Sequence, residues 1–350
     1  MINEKTDIIS LSKNELRDLV KNKLNIEAFR ADQIYSWIYK KNGGTGFAQM
    51  SDISKNHQKI FEENFYIGKL KILKKQISAD GTIKYLFELY DGNAVESVFM
   101  KYSHGNTVCI SAQVGCRMGC AFCDSAFGGL NRNLLPSEML LQIMEIQKDT
   151  GAKISNVVLM GIGEPLDNFE NTVKFLRLLN SGDGLNIGYR HISVSTCGLA
   201  DKIKELEKIN LPLTLSVSLH APNDLIRNKL MPVNNKWNIK NLLKVCREYA
   251  EFTKRRISFE YILINGLNDS ENNARELALN IKNILCHVNL IPVNRVSRGN
   301  FYQPEIKKVK MFQKTLENCG INATIRRRCG DDINAACGQL RKNNANINFL

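Results

Sequence analysis

From about residue 103 onward, short apolar runs rich in β-branched residues alternate with longer amphipathic runs, and this alternation constrains the fold more than any other feature. Residues 107–112, 155–160, 191–196, 213–219, 257–264 and 287–292 read as strands, giving six βα units. Between them, sets such as Ile239, Leu242, Leu243, Cys246 and Ala250, or Ala274, Leu277, Ala278 and Ile281, put an apolar stripe on one helix face. Strands alternating with helices imply an α/β architecture with a parallel sheet, either open and doubly wound or curved into a partial barrel. Periodicity does not choose between the two.

The preceding residues follow other patterns. Ser12 with Glu15 three positions on predicts a capping box, followed by Leu16, Leu19 and Val20 at helical spacing, and a second helix carries Ile34, Trp37 and Ile38. From Leu70 the segments become β-rich and are broken by Asp80-Gly81 and Asp91-Gly92, dipeptides that supply positive φ in tight turns. The expected organisation is a helical accessory domain over 1–66, a small β meander over 67–103 and an α/β unit over 104–350. No apolar run approaches the roughly 18 residues of a membrane helix, and no signal-peptide pattern follows Met1, so a cytoplasmic protein without a membrane partner is expected. Ten cysteines in that compartment point to metal binding or catalysis rather than a disulfide framework.

Charge adds a partner class. The 48 Lys and Arg against 35 Asp and Glu leave +13, and only +2 of it falls in residues 1–100. Such an excess fits a polyanion such as nucleic acid, with a solvated basic surface as the alternative. Arg326-Arg327-Arg328 and Lys254-Arg255-Arg256 are the densest runs, and the first is expected to bind phosphate.

Cys116, Cys120 and Cys123 form C-x3-C-x2-C in the loop after the first strand of the alternating series, at the end where parallel αβ barrels carry their active sites. Three thiolates so spaced can hold three irons of a 4Fe-4S cluster and leave the fourth open. Structural zinc is the alternative, but it usually takes four protein ligands in paired spacings, and no convincing fourth ligand lies nearby.

Four segments extend the pattern: Gly115-Cys116-Arg117-Met118-Gly119-Cys120-Ala121-Phe122-Cys123, Met160-Gly161-Ile162-Gly163-Glu164-Pro165, Ser218-Leu219-His220-Ala221-Pro222-Asn223-Asp224, and Asp332-Ile333-Asn334-Ala335-Ala336-Cys337-Gly338-Gln339-Leu340. The cysteine motif resembles that of radical S-adenosylmethionine (SAM) enzymes. Together the segments resemble the dual-specificity 23S rRNA/tRNA adenine-C2 methyltransferases (RlmN family) over nearly the whole chain. The resemblance implies a six-unit partial (β/α) barrel with an N-terminal helical domain, one 4Fe-4S cluster whose open iron binds SAM, and two SAM per turnover. It assigns SAM contacts to Gly163, Glu164, Ser195, Ser218, Leu219, His220 and Asn294, which follow or end successive predicted strands. Taken singly, Gly163 could make a turn, Ser195 cap a helix and His220 be a satisfied core histidine.

The same resemblance makes Cys337 the methyl carrier, Cys109 a resolving thiol that pairs with it in a disulfide, and Glu96 a proton acceptor. From the residues alone, Cys337 reads as a buried structural thiol, Cys109 as a core residue and Glu96 as part of a solvated strand face. Cys246 and Cys319 read as lying on apolar helical faces, Cys286 begins a strand, and Cys197 is ambiguous near the SAM rim. Cys329, beside the arginine run, stands where it could interfere with a Cys109–Cys337 bridge. Partners implied are 23S rRNA, tRNA and an electron donor such as flavodoxin or ferredoxin. The alternatives are a carbon-8 adenine methyltransferase of the antibiotic-resistance type and a noncatalytic, metal-stabilised RNA-binding protein.

Overall fold

The computed structural model describes residues 5–40, 46–294, 300–336 and 338–340. Its N-terminal part is built from β1 (Thr6–Asp7), α1 (Lys13–Asp18), α2 (Phe29–Tyr39), α3 (Lys55–Asn64) and β2 (Phe65–Tyr66), with β1 and β2 paired in parallel. The expected capping box is present: the Ser12 hydroxyl accepts from the Glu15 amide, and the Glu15 carboxylate accepts from the Ser12 amide at 2.7 Å. The α1 backbone then widens into a π-helical turn over Leu19–Lys23. Leu16, Ile34, Ile38 and Phe61 are buried and belong to one continuous core with Val157, Val194 and Val217.

One ten-stranded sheet organises the rest. It contains β3 (Lys71–Ile77), β4 (Ile83–Glu88), β5 (Ala94–Tyr102) and β6 (Gly105–Cys109), then β9 (Asn156–Leu159), β10 (Ile192–Thr196), β11 (Thr214–Ser218), β12 (Ile257–Leu263), β13 (Cys286–Pro292) and β14 (Ala323–Ile325). Strands β3 to β6 are antiparallel, whereas β6 and β9 to β14 run parallel in chain order. The six expected strands are all present, and β14 is a seventh parallel strand. The meander is hydrogen-bonded into the same sheet, because the hairpin joining β5 and β6 spans residue 103. Its tight turns lie at Gly81 (φ 80°) and Gly92 (φ 78°), as the dipeptides predict.

The crossovers are α4 (Pro136–Thr150), α5 (Phe169–Asn180), α6 (Ala200–Ile209), α8 (Ile239–Thr253), α9 (Glu271–Ile281) and α10 (Ile306–Asn318), and the short α7 (Asp224–Leu230) sits in the loop after β11. Each long helix turns its apolar stripe to the sheet; Ile239, Leu242, Leu243, Cys246 and Ala250 of α8 are all buried. Strand β12 is buried along its full length, as a central parallel strand covered on both faces must be. A two-stranded ribbon of β7 (Gln113–Gly115) and β8 (Leu130–Asn133) brackets the cysteine loop. Cys319 corrects an expectation: it is exposed just beyond α10, where its amide caps the last turn and its side chain faces solvent.

Candidate active site

The cysteine loop is shaped by its ribbon. Gly115 has φ 77°, and a Cβ there would meet the Gly129 carbonyl oxygen at 2.0 Å, so only glycine lets β7 turn into the loop. The Cys116 amide donates to the Gly129 carbonyl (3.0 Å), the Cys123 amide to Cys120 (3.2 Å) and the Ala121 amide to Leu230 (2.9 Å), which pins the loop between the ribbon and α7. Cys116, Cys120 and Cys123 then line one cleft of about 930 Å³ including its mouth, within the range of small-molecule sites. Burial pushes the Cys116 thiol up to about 12 and the Cys120 thiol well above its usual range, with neighbouring cysteines adding to both. Three such thiolates together need a cation to offset desolvation and mutual repulsion, and metal binding supplies it. Among the described residues, no three His, Cys, Asp or Glu side chains are placed to share a single metal ion. Three cysteine ligands can hold three irons of a 4Fe-4S cluster and leave the fourth open to a small molecule in the cleft.

The opposite wall comes from strand ends. Gly163, Glu164, Ser195, Ser218 and His220 line the same cleft, so the structure brings these expected residues together. Gly163 has φ 102°, and a Cβ would lie 2.5 Å from that of Gln113, whose side-chain oxygen accepts from the Glu164 amide at 2.8 Å. Glu164 is buried, which raises its carboxyl above the usual range, while the amides of Cys197 (2.7 Å) and Leu166 (3.0 Å) bind its two oxygens and oppose that rise. It therefore ties the loop after β9 to the loop after β10, and Cys197 also lines the cleft.

His220 has φ 57°, and its Nδ1 accepts from the Ile262 amide at 2.9 Å, which leaves its proton on Nε2. Burial, with the Arg227 charge second, lowers it to about 3, so the ring is neutral at physiological pH. Its ring meets Phe122 of the cysteine loop edge to face at 4.8 Å between centroids.

Arg227 carries no motif and holds this rim. Wholly buried, it donates to the carbonyls of Cys197 (2.7 Å), Ser218 (3.1 Å) and Leu219 (3.1 Å), fixing the ends of β10 and β11 together. Gln113 and Arg227 were not legible from spacing, because each acts through contacts that the fold creates between distant loops.

Two expected SAM contacts stand elsewhere. The Leu219 side chain is buried in the hydrophobic core, since the strand alternation that points Ser218 into the cleft turns its successor away. Asn294 lies two residues beyond β13 and lines a second cavity rather than the first. Cys109, Cys329 and Arg326 also line that second cavity, which shares Met160, Ile291, Arg326 and Leu340 with the cysteine cleft. Arg326 is less a surface phosphate contact than a wall between the two: its guanidinium is 3.8 Å from Glu260 and 3.7 Å from the Met160 sulfur. Arg328 pairs with Asp331 at 3.0 Å, and Arg327 is exposed.

Glu96 overturns the solvated-face reading. Its side chain is 4% exposed and lies 3.6 Å from Lys84, because the antiparallel neighbours and residues 330–336 cover that face of β5. Cys109, near it on β6, is buried beside Val98 and Met100. The Cys329 sulfur is 3.5 Å from the Tyr102 hydroxyl in the same cavity. Cys337 lies outside the described residues, and with it the expected Cys109–Cys337 disulfide. The residues after it reach the cysteine loop: the Gly338 carbonyl accepts from the Asp124 amide (2.7 Å) and the Leu340 carbonyl from the Ser125 hydroxyl (2.6 Å). No helix among the described residues is long and apolar enough to cross a membrane.

A family model described as the Radical SAM superfamily matches residues 110–278, and one described as the ribosomal RNA large subunit methyltransferase N-terminal domain matches residues 6–67. The chain is 51% identical over 338 residues to a "Probable dual-specificity RNA methyltransferase RlmN" of Clostridium novyi (strain NT), covering 96% of this chain and 98% of that protein. It is 50% identical over 341 residues to a protein of the same description from Desulforamulus reducens, covering 97% of each. The crystal structure of a radical SAM methyltransferase from Sphaerobacter thermophilus superposes with a TM-score of 0.91 at 39% identity, covering 96% of this chain and 99% of that one.

Proposed function

The chain belongs to the RlmN family of dual-specificity RNA methyltransferases in the radical SAM superfamily, and from that premise we propose that it methylates carbon 2 of an adenosine in 23S rRNA and of the adenosine 3′ to the anticodon in tRNA. Carbon 2 of adenine carries an unactivated hydrogen in an electron-poor ring, so a polar attack on a sulfonium methyl has no nucleophile to begin from. The observation that most supports the reading is the pair of adjoining cavities, one lined by Cys116, Cys120 and Cys123 and the strand-end rim, the other by Cys109.

In this reading Cys116, Cys120 and Cys123 hold one 4Fe-4S cluster, and Gly163, Glu164, Ser195, Ser218 and His220 surround SAM. When bound, the cluster and two equivalents of SAM supply a methyl group for Cys337 and the one-electron chemistry able to activate it. His220, neutral with its proton on Nε2, offers a hydrogen-bond donor to the bound ligand, and Arg227 keeps the rim from relaxing. Glu96 takes up the proton lost from carbon 2. The Cys109 thiolate then attacks the Cys337 sulfur, and the S–S bond forms as the bond from that sulfur to the transferred carbon breaks; that carbon keeps the electron pair, takes up a proton and leaves as the methyl group of the free base, and a cellular dithiol must reduce the disulfide before the next turnover. The electrons come from a flavodoxin or ferredoxin in the cytoplasm. Target adenines must leave their stacks to enter such a site, and backbone contacts from a basic surface offset part of that cost.

The test is anaerobic reconstitution with iron, sulfide, SAM and a reductant, followed by reaction with protein-free 23S rRNA and nucleoside analysis by mass spectrometry. We expect 2-methyladenosine from the native protein and none from Cys337→Ala. The 8-methyl isomer would overturn the carbon-2 assignment, and failure to methylate despite SAM cleavage would overturn the rRNA assignment.

A further inference from the structure

Lys84 sits on β4 with its side chain 4% exposed, a position where an ammonium ion survives only with close partners. It has two: the Glu96 carboxylate at 3.6 Å and the Asn334 carbonyl, to which it donates at 3.1 Å. The register explains the first. Leu86 faces Glu96 and Lys84 faces Val98 across the antiparallel pair, so Lys84 and Glu96 project on one face of the sheet, and the Val98–Cys109 pairing puts the cysteine on that face too.

The second partner joins this face to the segment that leads to Cys337. Asn334 adopts φ 50°, and the residues before it are gripped by the β3–β4 turn: Asp332 accepts from the Ser78 hydroxyl (2.5 Å) and the Ala79 amide, and Asp80 accepts from the Gly330 amide. On the same side of the sheet, the cavity lined by Val98 and Cys109 also carries Tyr102 of β5, Arg326, Arg327, Arg328 and Cys329. Cys109 comes from β6, β7 contributes none, and Asp331 and Asp332 are engaged by Arg328 and by Ser78.

We propose that Lys84 is a positioning residue for methyl transfer: it keeps Glu96 ionised in a site with little water, and it ties that carboxylate to the segment bearing Cys337. The inference rests on the reading of Glu96 as the proton acceptor. A cation at this distance favours the carboxylate form, whereas burial without it favours the neutral acid, which cannot accept a proton.

The test compares native enzyme, Lys84→Arg, Lys84→Met, Glu96→Gln and the double variant, all reconstituted as holoenzyme. Two quantities are read: methyl incorporated into the protein from labelled SAM, and single-turnover transfer to RNA per methylated protein across pH, with thermal melting to report folding. Lys84→Met is expected to slow transfer about tenfold or more at neutral pH and to move the acid limb of the profile at least about one unit upward. Lys84→Arg should restore most of both. In the Glu96→Gln background, Lys84→Met should change transfer by less than about twofold, since the lysine acts through the carboxylate. If Lys84→Met melts too early to assay, the double variant, which removes both charges, and Lys84→Arg carry the comparison. Native-like rate and pH profile in Lys84→Met, or effects that multiply fully in the double variant, overturn the proposal. Native-like transfer by Glu96→Gln overturns instead the proton-acceptor reading on which it rests.

Discussion

Arg227 shows how much of this site depends on a side chain that no motif marks. Its guanidinium satisfies three carbonyls at the ends of β10 and β11, and Arg227→Met would leave all three without their donor in a dry interior. We expect a loss of about 3 kcal/mol or more in urea unfolding, together with weaker SAM binding measured by equilibrium dialysis. His220 gives a second prediction. Its value is about 3 when folded, against 6.5 for the exposed group, so between those limits the unfolded chain binds the extra proton and acid destabilises the fold. Stability measured from pH 7 down to 4 should therefore fall more steeply in the native protein than in His220→Gln; equal slopes would refute it. The structure places Cys116, Cys120 and Cys123 in one cleft, and that grouping was legible because it is written in short spacing. The burial of Glu96 was not, since from the residues alone it reads as a solvated acid until residues 330–336 fold over it, and its role came only from the family resemblance.

At the scale of elements, the six parallel strands were readable because each is an apolar run with a helical stripe after it. The β14 strand escaped because three residues carry no measurable period, and the β7–β8 ribbon escaped because its residues serve the cysteine loop more than the core. The curvature that selects a partial barrel over an open sheet was not in the periodicity; only the family resemblance supplied it. The Ser12 capping box was legible and is locally testable. Ser12→Ala removes the acceptor of the Glu15 amide and should cost about 1 kcal/mol in chemical denaturation, with little change in methyl transfer because α1 lines neither cavity.

For the molecule as a whole, the +13 charge has to be separated into cations that work inside and cations that face outward. Arg326 is committed to Glu260 and the cavity wall, so exposed Arg327, and Arg328 whose surface pair with Asp331 a phosphate would have to replace, are the members of that run that face outward. Replacing both with alanine should weaken RNA binding across sequences and flatten the plot of log affinity against log salt by about 1 to 2, measured by filter binding at several ionic strengths. An unchanged slope would remove them from the RNA interface. The bond between Ser125 and Leu340 spans 215 positions, and it carries a consequence for synthesis. At about 5–20 residues per second, a ribosome needs roughly 10 to 40 seconds after making the cysteine loop before it delivers the residues that brace it. During that interval the nascent chain presents Cys116, Cys120 and Cys123 without the residues that brace their loop, so the order of translation separates the making of this loop from the completion of its wall.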